Sequence, residues 1–151
     1  MTLTAPTLDE VSTLLSGLLG RPVAASVAES GQLDPATLRG LVDDENNLIS
    51  VIAADLPFAH RTGAAIAMMP ASAADDAGYD AADEDLIENY HEVANVLSRA
   101  VNERSPSRLR LDPGLSHERA ALVEVIRNGT GAVYTVDVNG YGEGHVAVYI
   151  R

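Results

Sequence analysis

The chain has 151 residues, and its 22 Asp and Glu face ten bases, all arginine, for a formal charge of −12. Such a surface repels nucleic-acid phosphates and anionic headgroups, so neither is an expected partner. The absence of cysteine excludes disulfides, thiolate metal sites and thiol catalysis. The length and the 46% apolar content predict one folded domain over residues 1–151. No run approaches the ~18 apolar residues of a membrane span. Met1 to Leu8 lacks the basic and apolar parts of a signal peptide. A cytoplasmic location without membrane insertion is the expectation.

In chain order, Thr7 and Glu10 form a capping box, and Leu8, Val11, Leu14, Leu15, Leu18 and Leu19 follow at helical spacing. Gly20 and Pro22 stop that helix. Val23–Val27 is short and β-prone, and Glu29–Gly31 reads as a turn. Thr37–Val42 and Leu48–Ala54 read as strands joined by a polar tip at residues 43–47. Asp55 caps a helix expected from Leu56 to about Met69, in which Gly63 costs ~1 kcal/mol relative to Ala. Pro70–Ala82 reads as a loop or short helix.

The clearest helix runs from Asp83 to about Arg104. Arg108–Leu111 then alternates as a strand, stopped by Pro113 and Gly114. Residues 115–128 leave helix and strand both open: Ser116 would cap a helix, but Ala120, Val123 and Ile126 fit neither period cleanly. Ala132–Val138 and His145–Ile150 are β-rich runs joined by a glycine-rich turn over 139–144. Strands interspersed with helices in this order predict an α+β fold with a largely antiparallel sheet.

On a helical wheel, Leu86, Tyr90, Val93, Ala94, Leu97 and Val101 share one face of the long helix. Glu88, Glu92, Asn95, Arg99 and Asn102 share the opposite face, with Val96 beside them. A stripe of this kind is ordinarily a solvated surface. Asn95 and Asn102 are poor helix formers well inside the helix, and an apolar Val96 next to an amide suits a contact surface.

The segment Glu92-Val93-Ala94-Asn95-Val96 resembles the signature helix of the CheC/CheX/FliY family of chemotaxis phosphatases, a Glu followed three residues later by Asn on a long exposed helix. No other Glu here has Asn at that distance. The order of elements is similar to the CheX-like α+β fold over nearly the whole chain. The resemblance implies a phosphatase of a phosphorylated CheY-like receiver. Asn95 would orient the attacking water, Glu92 would grip a partner lysine, and Glu88, Val96 and Arg99 would lie in the contact. It implies no cofactor on this chain, because Mg2+ belongs to the partner, and it implies a possible homodimer. Arg99 stands where the family often has a small residue, and Pro106 and Pro113 come too early for the downstream proline of some relatives. These departures suit the alternative of a catalytically silent adaptor or dimeric binding module of the same fold.

Other clusters carry less. His60, His91, His117 and His145 have no metal-ligand spacing. Asp43 to Asn47 lacks the alternation of a calcium loop and reads as a hairpin tip. The glycines of 140–144 read as turn residues. The charge itself is local. Residues 75–92 hold eight acids and no arginine, which suits a partner presenting a lysine and a metal ion.

Overall fold

The computed structural model describes residues 3–112 and 118–151. Helix α1 (Leu8–Leu19) leads to strand β1 (Val23–Ala28) and a 3-10 turn at Ser30–Gln32. Strands β2 (Thr37–Val42) and β3 (Leu48–Ala54) follow, then helices α2 (Leu56–Ile66), α3 (Ala71–Ala77) and α4 (Glu84–Glu103). After α4 come β4 (Arg110–Leu111), α5 (Arg119–Asn128), β5 (Thr130–Val138) and β6 (Gly142–Ile150). The strands form one sheet in the order β1-β5-β6-β3-β2-β4, and every neighbouring pair is antiparallel. The α+β architecture expected from the sequence is the one observed.

Alternation along the strands gives the sheet two apolar faces. One presents Leu41, Ile52, Val136 and Val148 to α1, α2 and α4, which answer with Leu15, Phe58, Val93 and Leu97. The other presents Val51, Ala53, Ala147 and Tyr149 to Leu122 and Val125 of α5. The long helix therefore lies on the more heavily covered face and turns its outer side away from the sheet.

Local chemistry explains the boundaries. The Thr7–Glu10 capping box forms as expected. At the β2–β3 tip, Asp43 Oδ1 accepts from the N–H groups of Glu45 (3.0 Å) and Asn47 (2.9 Å). The Asn47 N–H bond is the main reason that the Asp43 carboxyl is held below its ordinary value. Asp55 caps α2 by accepting Phe58 N–H at 2.9 Å, and it also accepts His145 N–H at 3.0 Å, with His145 Nδ1 3.0 Å from its second oxygen. One buried carboxylate thus joins the end of β3, the start of α2 and β6.

Three expectations are corrected and one open choice is resolved. Helix α2 stops at Ile66, not Met69, because Met68 N–H and Met69 N–H turn back to the carbonyls of Ala65 and Ala64. Strand β4 has two residues rather than four, since only Leu41 and Val42 of β2 offer it partners. The stretch from Arg119 is helical; Pro113, Gly114, Ser116 and His117 lie outside the described residues. Gly140 and Gly142 have positive φ, as turn residues should, but Gly144 lies inside β6. A Cβ there would stand 2.3 Å from Phe58 Cα, so its role is close packing of α2 on the sheet.

Candidate functional site

The Glu-Asn pair lies on α4, whose position is set at both ends. At the start, Asp83 Oδ1 accepts Leu86 N–H at 3.0 Å, the N-cap geometry. The N–H of Asp83 in turn donates to Nε2 of His60 at 3.0 Å. His60 is wholly buried on α2, and its Nδ1 lies 2.9 Å from the Gly78 carbonyl. A carbonyl only accepts and a backbone N–H only donates. The two bonds therefore assign the hydrogen to Nδ1 and leave the ring neutral. At the other end, Asn102 Oδ1 accepts Leu109 N–H at 2.7 Å. Arg104 donates to Thr4 Oγ1 at 2.8 Å and pairs with Glu10, which ties α4 to the entry of α1.

The inner face of α4 is buried along its length through Leu86, Tyr90, Val93, Ala94, Leu97 and Val101. Tyr90 meets Phe58 edge to face, with centroids 6.0 Å apart. Burial pushes its hydroxyl up to about 12. The outer face exposes Glu84, Asp85, Glu88, Glu92 and Arg99, with Asn95 half-buried among them. Acids in the first turn also suit the helix dipole.

Glu92 and Asn95 stand one turn apart on this outer face, as the i,i+3 spacing requires. Neither side chain has a hydrogen-bond partner among the described residues, whereas the Asn95 carbonyl accepts from Ser98 Oγ at 2.6 Å. Glu88 and Arg99 flank them, and both are exposed. Val96 is not part of this surface. It is 6% exposed and belongs to the core side. On the wheel Val96 lies between the two faces, about 40° from Glu92 and about 60° from Val93, and it is the packing of the chain that covers it. Asn102 is accounted for by its bond to Leu109, a structural role.

His91 is half-buried beside Glu92. Burial, then the nearby Arg39, lowers its pKa, against a smaller opposing effect of Glu88. A histidine with a depressed folded pKa binds fewer protons folded than unfolded, so stability is present above its ordinary value of 6.5 and is lost as pH falls through the folded value. The melting temperature of the wild type should therefore decline on acidification below about pH 6.5, and His91→Gln should show a shallower decline. Equal slopes in a pH series of thermal melts would contradict this.

The outer face thus offers an amide able to donate to and accept from one water, and a carboxylate one turn away able to take a cation from a partner. His60 was missed by sequence reasoning, although its position on the apolar face of α2, four residues after Leu56, was a signal that it is buried.

No protein-family model matches the chain, and no curated protein matches its sequence. Solved structures match over nearly its whole length. The FliY structure from Thermotoga maritima is 13% identical, with a TM-score of 0.61, and the match covers 96% of this chain and 84% of that one. A match to the CheX-CheY-BeF3-Mg2+ complex from Borrelia burgdorferi has 13% identity and a TM-score of 0.55, covering 95% and 94%. A match to the FliG-FliM complex from H. pylori has 11% identity and a TM-score of 0.59, covering 95% and 85%. At these identities the likeness is one of fold, and the fold is the one shared by CheX-, FliY- and FliM-like structures.

Proposed function

We propose that this chain hydrolyses the aspartyl phosphate of a CheY-like receiver domain. The observation that carries this is the pairing of Glu92 and Asn95 on the solvent face of α4, with both side chains unengaged among the described residues. The shared fold with a structure in which CheX is complexed with CheY supports the class of partner. An aspartyl phosphate is an acyl phosphate, a mixed anhydride that is already labile, so the demand on a catalyst is chiefly to place a water in line with phosphorus. The Asn95 amide holds that water. The water oxygen bonds to phosphorus as the bond to the carboxylate oxygen breaks, releasing inorganic phosphate and a free Asp on the partner. The partner supplies Mg2+ for the phosphoryl charge. Glu92 pairs with a lysine of the receiver and fixes the register in which Asn95 enters.

The two roles separate kinetically. Asn95→Ala should lower kcat by about 100-fold, the scale for removing one positioned hydrogen-bonding group, with KM nearly unchanged. Glu92→Ala should act mainly by raising KM. A kcat retained in Asn95→Ala, measured by steady-state phosphate release from an acyl-phosphorylated receiver, would overturn the assignment. A second reading, a catalytically silent binding module, is favoured by Arg99 and by the match to FliM bound to FliG. It predicts receiver binding without turnover that survives both substitutions.

A further inference from the structure

Helix α4 turns one wholly buried polar atom toward the sheet. The Tyr90 hydroxyl has no hydrogen-bond partner among the described residues, and neither do the buried atoms Thr37 Oγ1 and Arg39 Nε. Buried polar atoms are almost always paired, so three together mark a place where a ligand is bound. They meet because β2 alternates: Thr37, Arg39 and Leu41 share one face, and Leu41 packs in the same core as Tyr90. Thr37 and Arg39 are also the two groups that draw the pKa of the Tyr90 hydroxyl back down against burial, which sets both beside it. Residues two apart on a strand are separated by about 7 Å, a gap that one ligand atom bonding at about 3 Å to each side fills.

The local charge is positive. Arg39 belongs to neither ion pair found among the described residues. Two acids act on this space from neighbouring elements, Asp55 after β3 and Glu88 on α4. Asp55 is already engaged, accepting from Phe58 N–H and His145 N–H and pairing with His145 Nδ1. At the Tyr90 hydroxyl Arg39 outweighs Asp55, and at His91 it outweighs Glu88. A guanidinium nitrogen only donates, and the Tyr90 hydroxyl stays protonated. The ligand must therefore accept hydrogen bonds and gain from positive charge. Among the described residues β4 pairs only with Leu41 and Val42 of β2, so the outer edge of β2 at Thr37 to Arg39 is open as a route in.

From this we infer that Tyr90, Thr37 and Arg39 bind a small monovalent anion, of the size of a halide, between β2 and α4. The anion joins the two elements beside His91. His91 and Asn95 are four residues apart on one flank of α4, so the bound anion braces the flank that carries Asn95. The site is independent of receiver binding and fills in the isolated chain.

The test uses the full chain and bromide. Crystals grown in sodium bromide should show an anomalous peak within about 3.5 Å of the Tyr90 hydroxyl oxygen and of Arg39 Nε. In solution, bromide at about ten times its half-saturating concentration should raise the melting temperature by about 3–5 °C over gluconate at equal ionic strength. Tyr90→Phe and Thr37→Val keep the shape of the core, and Arg39→Met keeps the length of the side chain. Each should remove most of the bromide-dependent rise. The crystal readout stands even where a variant folds poorly. A water with no anomalous signal bridging the three groups, bromide peaks only elsewhere on the molecule, or a bromide-dependent rise that persists in Tyr90→Phe and Arg39→Met would overturn the inference.

Discussion

Gly63→Ala is expected to lower the melting temperature by about 10 °C, the consequence of a destabilisation of about 3 kcal/mol in a chain of this size. The sign is the informative part. In an unobstructed helix interior the same substitution gains ~1 kcal/mol, because alanine is the better helix former. Here α2 crosses α4 so closely that an alanine methyl would stand 2.3 Å from the Leu86 carbonyl oxygen and 3.1 Å from its carbon. Both obstructing atoms are backbone, so no rotamer change relieves the clash. One helix must move. A displaced α4 carries Glu92 and Asn95 with it, so receiver dephosphorylation should fall together with stability. A thermal melt at or above the wild-type temperature would show that the two helices are not in this contact.

His60→Ala is the second large effect. The substitution removes a wholly buried ring and leaves the Gly78 carbonyl and the Asp83 N–H without their partners. The two orphaned groups are only part-buried, so each costs less than the ~1–3 kcal/mol of a fully buried one, and with the cavity left by the ring a total of about 3 kcal/mol is expected. The loss should be concentrated at the start of α4, where Asp83 would keep its cap to Leu86 but lose the bond that positions it. Hydrogen exchange at the amides of Asp83 to Ile87 should rise well above that of the rest of the helix. His60→Asn should be intermediate, since its side-chain N–H can still reach the Gly78 carbonyl but offers Asp83 no equivalent acceptor. Unchanged exchange at these amides in His60→Ala would contradict the positioning role.

Much of the fold was legible because it rests on local chemistry. The Thr7–Glu10 box, the Asp55 and Asp83 caps and the two strands flanking residues 43–47 lie where turn and cap residues interrupt clear periodicities. The two faces of α4 were legible for the same reason, and with them the exposure of Glu92 and the placement of Asn95 beside it. What could not be read depends on which distant segment arrives. Gly63 and Gly144 look like a weak helix residue and a turn residue until Leu86 and Phe58 are set against them. Val96 sits at the margin of the polar stripe on a wheel, and only the packed structure decides that it is covered. Asn102 mimicked a functional amide because its partner, the Leu109 N–H, lies beyond the end of the helix. The end of α2 was misplaced because the sequence carries methionine where a glycine would have announced the stop.

The face of α4 joins these findings. His60 and Asp83 fix where it begins, Asn102 and Arg104 fix where it ends, and a close helix crossing holds its inner side. Glu92 and Asn95 are thereby presented on a firm support rather than on a loop, the condition under which positioning alone can accelerate hydrolysis. The most direct measurement is the decay of aspartyl phosphate on a purified receiver domain from the same organism, with Mg2+, in the presence and absence of this chain. Faster decay with the wild type, lost in Asn95→Ala while the variant keeps its fold, is the predicted result. Decay at the intrinsic rate for every receiver of that organism, or an undiminished acceleration by Asn95→Ala, would contradict the phosphatase assignment.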